Sequence, residues 1–190
     1  MDRRQFCRSA VAAGITGALP WAYGCDNGPR AGTTADTSIP AIRLDGSSTE
    51  LERAAVNEFA ESLSGEVLLS SHPGYDTARM LWNGMHDKRP ALIAQCQNAQ
   101  DVSMAVTFAR ERSLLAAVRG GGHSWPGKSA CDGGIMIDLS QMNTVRVDAE
   151  ARRAHTQGGT LLGGLDTAAR EHGLITTAGV VSHTGVGGYT

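Results

Sequence analysis

Residues 119–123, Arg-Gly-Gly-Gly-His, constrain this chain more than any other stretch. They follow Leu114-Leu115-Ala116-Ala117-Val118, an apolar run too short for a helix and closed by a glycine cluster, which predicts a buried strand. Three glycines bring no side chain to a core. They allow backbone at φ > 0 and a close approach of backbone to a ligand. Successive N–H groups in such a turn form a concave anion site suited to a phosphate or pyrophosphate, and His123 sets an imidazole beside it. The plain alternative is a tight surface turn carrying an incidental histidine.

Two functional readings compete for this loop. Residues 122–129, GHSWPGKS, match the phosphate-binding pattern G-x-x-x-x-G-K-[ST] of nucleoside triphosphatases. That loop must open into a helix, whose N-terminus helps hold the phosphates. Here Ser129 leads instead into Ala-Cys-Asp-Gly-Gly, a turn signal, and then into Ile135-Met136-Ile137-Asp138-Leu139, a strand signal. Two parallel strands need a connection of roughly a dozen residues, usually helical, so the triphosphatase reading ranks second.

The first reading is a resemblance. RGGGHS with the GKS that follows, then DGGIMIDLSQMNTVRVD, then GGTLLGGLDTAAREHGLITTAGVVSHTGVGG, resembles the flavin domain of the vanillyl-alcohol-oxidase/p-cresol-methylhydroxylase family, in particular its berberine-bridge-enzyme-like branch of FAD-linked oxidases. The likeness covers residues 89–190. It implies an α+β fold, the PCMH-type FAD-binding domain, with a small βαβ subdomain and a mixed or antiparallel sheet subdomain, incomplete at its C-terminus. It also implies a pyrophosphate loop made by Arg119, Gly120, Gly121, Gly122, His123 and Ser124, with Gly127 following. His123 would be joined covalently to the 8α-methyl of FAD. A second cofactor loop would take in Gly179, Val180, Ser182, Thr184, Gly185, Gly187 and Gly188. Some relatives attach the flavin a second time through a cysteine. Residues 180–184 contain none, so attachment is expected through His123 alone. Tyr189 departs from the residue more usual at its position. The other reading of this tail is a flexible terminus.

The chemistry implied is that of an FAD-dependent oxidoreductase, with a hydride passing from an alcohol, sugar or similar small molecule to the flavin and then to oxygen or another acceptor. A non-catalytic flavin- or nucleotide-binding module is the alternative. Family members continue with a substrate domain that often carries the catalytic base. The chain reads as an N-terminal fragment, inactive alone, in which no catalytic residue can be named.

The chain before this domain has its own signals. Residues 1–24 read as a twin-arginine signal peptide: Arg3-Arg4-Gln5-Phe6, Arg8, then an apolar stretch over 10–19 that falls short of the ~20 residues a membrane span needs. Cleavage would fall between Gly24 and Cys25, and Cys25 leaves a lipid anchor open. The protein is accordingly expected to be exported, periplasmic or extracellular. Residues 25–48 read as a linker, and 49–88 as a helical lead-in. Thr49 and Glu52 form a capping box for a helix with Leu51, Ala55, Phe59 and Leu63 on one face. Residues 76–85 read as a short helix, and His72 and His86 as surface histidines.

Within the flavin-like region, residues 90–95 read as a strand and Asn98 as the cap of a helix with Val102, Val106 and Ala109 inward. The strand at 114–118 completes a β-α-β unit whose two strands are expected to pair in parallel. Residues 144–147 and 153–156 read as strands, and 160–172 as a helix with Leu162, Leu165 and Ala169 inward and Gly173 as its terminator. Cys96 and Cys131 have no metal-ligand spacing and read as buried thiols, with pairing left open. Net charge is −2, with no basic stripe, which argues against a nucleic-acid partner.

Overall fold

A computed structural model describes residues 37–189 of the chain. The signal peptide, Cys25 and the first part of the linker lie outside the described residues. From residue 38 onward the linker expectation fails. β1 (Ser38–Ile42) and β2 (Ser48–Glu52) form an antiparallel hairpin in which Ile39 faces Leu51 and Ala41 faces Thr49. Alternation buries Ile39, Ala41 and Leu51. Asp45 closes the turn by accepting from the Ser47 N–H at 2.9 Å and its hydroxyl at 2.6 Å, with Gly46 at φ +85°.

The capping box at Thr49 is also overturned, because Thr49 and Leu51 belong to the period-2 pattern of β2. α1 (Arg53–Ser62) begins after Glu52 with no side-chain cap, and buries Val56 and Phe59. A short strand, β3 (Glu66–Leu68), follows. α2 (Tyr75–Arg79) is shorter than the 76–85 expected and stops at Met80. Arg79 closes it by pairing with Asp76 at 2.7 Å and with Asp87.

The central sheet comprises β3, β4 (Leu92–Gln95), β5 (Ala116–Arg119) and β6 (Ile135–Asp138), in the spatial order β3-β4-β6-β5. β3 is antiparallel to β4, while β4 and β5 both run parallel to β6. The expected β4–β5 pair is therefore split by β6. Burial explains the order. All four side chains of β6 are buried, whereas β5 alternates and leaves Val118 54% exposed, so β5 takes the edge. β5 joins its parallel neighbour through residues 120–134 without a helix. Turns follow Ser129, so the helix that a triphosphatase loop requires is missing and that reading is discarded.

Alternate residues of β4 and β6 feed two cores. Leu92, Ala94, Ile135 and Ile137 pack with Val56, Phe59 and Leu63, and with Ala105, Phe108 and Ala109 of α3 (Ala99–Glu111). Phe59 and Phe108 stack at 4.3 Å. Ile93 and Met136 face the other way, onto Leu68, Tyr75, Ala78 and Leu81. The Asn98 cap is present, its Oδ1 accepting the Asp101 N–H at 2.9 Å. The inward stripe differs by one position from the one expected: Val106 is 49% exposed and Ala105 takes its place. Cys96 and Cys131 are buried and unpaired.

Beyond the sheet, β7 (Val145–Asp148) and β8 (Arg153–Thr156) pair antiparallel. α4 (Leu162–Arg170) buries Leu162, Leu165 and Ala169 as expected, with Gly173 after it at φ +66°. Leu162 and Leu165 pack on Val186 of α5 (Val186–Tyr189). The arrangement is α+β.

Candidate functional site

Three chain segments meet at the carboxyl end of β5, the end of an open α/β sheet where ligands usually bind. They are 120–124, the backbone at Gly158, and 184–189, and they border a cleft of about 490 Å³. Backbone touches backbone among them. A Cβ on Gly121 would stand 2.4 Å from the Gly185 backbone, and one on Gly120 or Gly187 would stand 2.7 Å from the Gly158 carbonyl oxygen. In the glycine triplet only Gly122 has positive φ, at +67°. Gly120 and Gly121 are thus demanded by close packing rather than by backbone conformation.

Hydrogen bonds hold the last segment in place. Leu162 N–H donates to the Thr184 carbonyl at 2.9 Å, Gly163 N–H to that of Ser182 at 2.7 Å, and Val186 N–H to that of Thr160 at 2.8 Å. The tail is therefore tied down as a second loop. By contrast, the N–H groups of Gly120, Gly121, Gly122, His123 and Ser124 donate to no protein acceptor among the described residues. A run of N–H groups without protein acceptors, on residues that line a cleft, is what a bound anion would use.

His123 lies beside that run. Its Nδ1 is 3.4 Å from Thr184 Oγ1, and its Nε2 is buried with no hydrogen-bond partner. Burial first, and then the neighbouring His183, hold the imidazole below its usual pKa. Thr160 Oγ1 is a further buried, unpartnered polar atom.

Of the residues expected at the site, Gly120, Gly121, Gly122, His123, Ser124, Thr184, Gly185, Gly187 and Gly188 line the cleft. The others do not. Arg119 turns back beneath the loop, where its Nη1 meets Asp138 Oδ1 at 3.1 Å. Gly127, at φ +70°, packs on the ring of His86, which keeps an intermediate exposure. His86 Nε2 and Asn83 Nδ2 both lie 2.9 Å from the Trp125 carbonyl oxygen, and Lys88 Nζ donates to those of Gly127 and Ala130. Gly179 packs against Leu162, Val180 is 99% exposed, and Ser182 acts through its carbonyl.

Sequence reasoning missed Gly158, Val118, Ser129, Leu139 and Tyr189, all of which line the cleft. It also missed Trp82 and His183, which flank the His123 ring. The Gly158-Gly159 pair just ahead of α4 was a usable signal, because a paired glycine beside a helix start marks close backbone approach. Trp82 had none, since it lies outside every motif.

Residues 90–190 match the family described as an FAD binding domain. (R)-6-hydroxynicotine oxidase of Paenarthrobacter nicotinovorans is 39% identical over 119 residues, covering 63% of this chain and 26% of that protein. Among solved structures, 6-hydroxy-D-nicotine oxidase from Arthrobacter nicotinovorans is similar with a TM-score of 0.64 and 38% identity, covering 65% of this chain and 27% of that one. The xylooligosaccharide oxidase of Myceliophthora thermophila C1 is similar with a TM-score of 0.65 and 28% identity, over 70% of this chain and 29% of that one. The chain thus spans between 26% and 29% of the length of these relatives.

The residues present fit a flavin dinucleotide. At Gly120, Gly121, Gly185 and Gly187 the cradle leaves no room for a Cβ, the N–H groups of residues 120–124 suit a pyrophosphate, and His123 carries an unpartnered ring nitrogen.

Proposed function

Because the chain belongs to the FAD binding domain family, we propose that it supplies the cofactor-holding part of an FAD-dependent oxidoreductase. The free N–H groups of residues 120–124, set against the backbone of Gly185 and Gly158, carry this reading. Gly120, Gly121 and Gly122 hold the pyrophosphate by backbone donation, and no charged side chain is needed to do so. Thr184 orients the His123 ring through the 3.4 Å contact. Bound FAD would supply the chemistry of a hydride acceptor that can be reoxidised by oxygen or another acceptor. The substrate is a small organic molecule such as an alcohol, a sugar or an amine, in keeping with the names of the nicotine and xylooligosaccharide oxidases.

His123 is the attachment point of a covalently held flavin in this reading, and its buried, unpartnered Nε2 supports that role. Export by the twin-arginine route agrees with it, because that route carries proteins already folded around a cofactor. Arg3-Arg4 followed by Phe6 is the supporting observation, with cleavage ahead of Cys25 and a lipid anchor there as a variant of the same route.

The test is an absorbance scan of the expressed chain and of any longer reading frame containing it, followed by acid precipitation and mass analysis of the His123 peptide. Flavin in the pellet with a matching mass shift is expected, and His123→Ala should release it into the supernatant. A flavin spectrum lost wholly to the supernatant would remove the covalent assignment. A longer protein that binds no flavin would remove the oxidoreductase reading itself.

A further inference from the structure

The His123 imidazole is gripped from two sides by residues outside the glycine loop. Trp82 stacks on its face, with ring centroids 4.9 Å apart and planes at 24°. The backbone N–H of Trp82 also donates to the Gly122 carbonyl at 3.1 Å. His183 meets the ring edge-on at 4.8 Å and 62°. Trp82 comes from the segment after α2 and His183 from the segment before α5, so two loops far apart in the chain converge on one side chain.

On the reading that His123 bonds to the flavin, we propose that Trp82 and His183 are positioning residues for that bond, holding the imidazole in one orientation and in its neutral form.

Attack requires a lone pair on a ring nitrogen, and imidazolium has none. Stacking by Trp82 fixes the plane of the ring, and the Trp82 N–H to Gly122 ties that plane to the cradle. His183 acts on protonation, because two cationic imidazoles in contact repel each other. Among the described residues, His183 is the charged group that acts on the ring. Arg119, behind Gly122, is engaged by Asp138, and the Tyr189 hydroxyl points to the Thr177 carbonyl at 3.5 Å. Trp82 and Thr184 do not ionise here.

An imidazole nitrogen of His123 bonds to the 8α-methyl carbon of the flavin. The imidazole N–H and one methyl C–H are broken, and the two protons and the electron pair reduce the flavin ring. Dioxygen then reoxidises it and leaves as hydrogen peroxide.

The experiment has two readouts on the full chain. In the first, the flavin-free protein is titrated by NMR and the His123 ring resonances are followed. His183→Asn should move the His123 midpoint to higher pH, and Trp82→Phe should leave it in place. In the second, FAD is added and acid-stable flavin is followed against pH, with rates taken per bound flavin so that affinity does not enter. His183→Asn should shift the acid limb of attachment to higher pH. Trp82→Ala should slow attachment about tenfold at every pH, as expected for a misoriented nucleophile, and Trp82→Phe should restore it. An unmoved His123 midpoint in His183→Asn, or wild-type attachment in Trp82→Ala, overturns the proposal. A wild-type chain that never acquires acid-stable flavin overturns the covalent reading instead, while the imidazole titration still decides whether His183 acts on His123.

Discussion

Arg119 Nη1 stands 3.1 Å from Asp138 Oδ1, joining residues directly opposite each other at the ends of the parallel strands β5 and β6. Gln95, at the same level of β4, donates to Asp138 Oδ2 at 3.2 Å, and the Ser140 N–H and hydroxyl each donate at 3.0 Å. Asp138 is fully buried. One carboxylate therefore ties together three strand ends where the glycine loop departs, and the arginine of the RGGGH run anchors the loop from below.

Breaking this group should loosen the cradle. Asp138→Ala is expected to cost about 3 kcal/mol or more, because it strands a largely buried guanidinium and removes several charge-assisted hydrogen bonds at once. Arg119→Ala should cost less, since Asp138 keeps its other donors. Urea denaturation of both variants measures the difference, and flavin affinity should fall in the same order.

The backbone contact between Gly121 and Gly185 leaves no room for a methyl group. Gly121→Ala and Gly185→Ala should force the two loops apart and lower flavin content by about tenfold or more, as seen after acid precipitation and absorbance. Gly84→Ala is the control, because a Cβ there meets nothing within 4 Å.

Asp101 is a buried carboxylate with a structural duty. Burial by itself pushes its pKa up. The N–H groups of Gln97 at 2.9 Å, Ser64 at 3.0 Å and Gly65 at 3.1 Å outweigh burial and hold it below its usual value. A depressed folded-state pKa stabilises fully above the unfolded value, about 3.9, and that contribution is lost as pH falls through the folded value. Asp101→Asn should therefore lower stability by about 1–3 kcal/mol at pH 7, and the gap should narrow on acidification below pH ~4. Denaturation midpoints at the two pH values check this.

Burial pushes the Cys96 thiol up to about 12 and the Cys131 thiol up to about 11. Neither should form a thiolate at pH 8, so iodoacetamide should leave both peptides unmodified in the native protein and label them in urea. Peptide mass mapping reads the outcome.

Local signals were legible wherever a single segment determines its own conformation. Asn98 caps α3, Gly173 ends α4 with positive φ, and Leu162, Leu165 and Ala169 face inward, all as their spacing predicts. The cradle was legible too, since RGGGHS and TGVGG are compact signatures. The hairpin of β1 and β2 was not, because its strands gain burial only by pairing with each other and lying near Gly133 and Leu115. Its threonine and glutamate imitated a helix cap instead.

By itself, the sequence determined that a glycine loop with a histidine follows a strand, and that a second glycine loop follows a helix. Both are properties of contiguous residues. Only tertiary structure decided that β6 lies between β4 and β5, that Arg119 turns to Asp138 rather than into the cleft, and that Trp82 and His183 converge on His123. Each of these depends on which side chains compete for burial or for a partner across the sheet. That competition is settled among segments distant in the chain, where neither periodicity nor motif carries information.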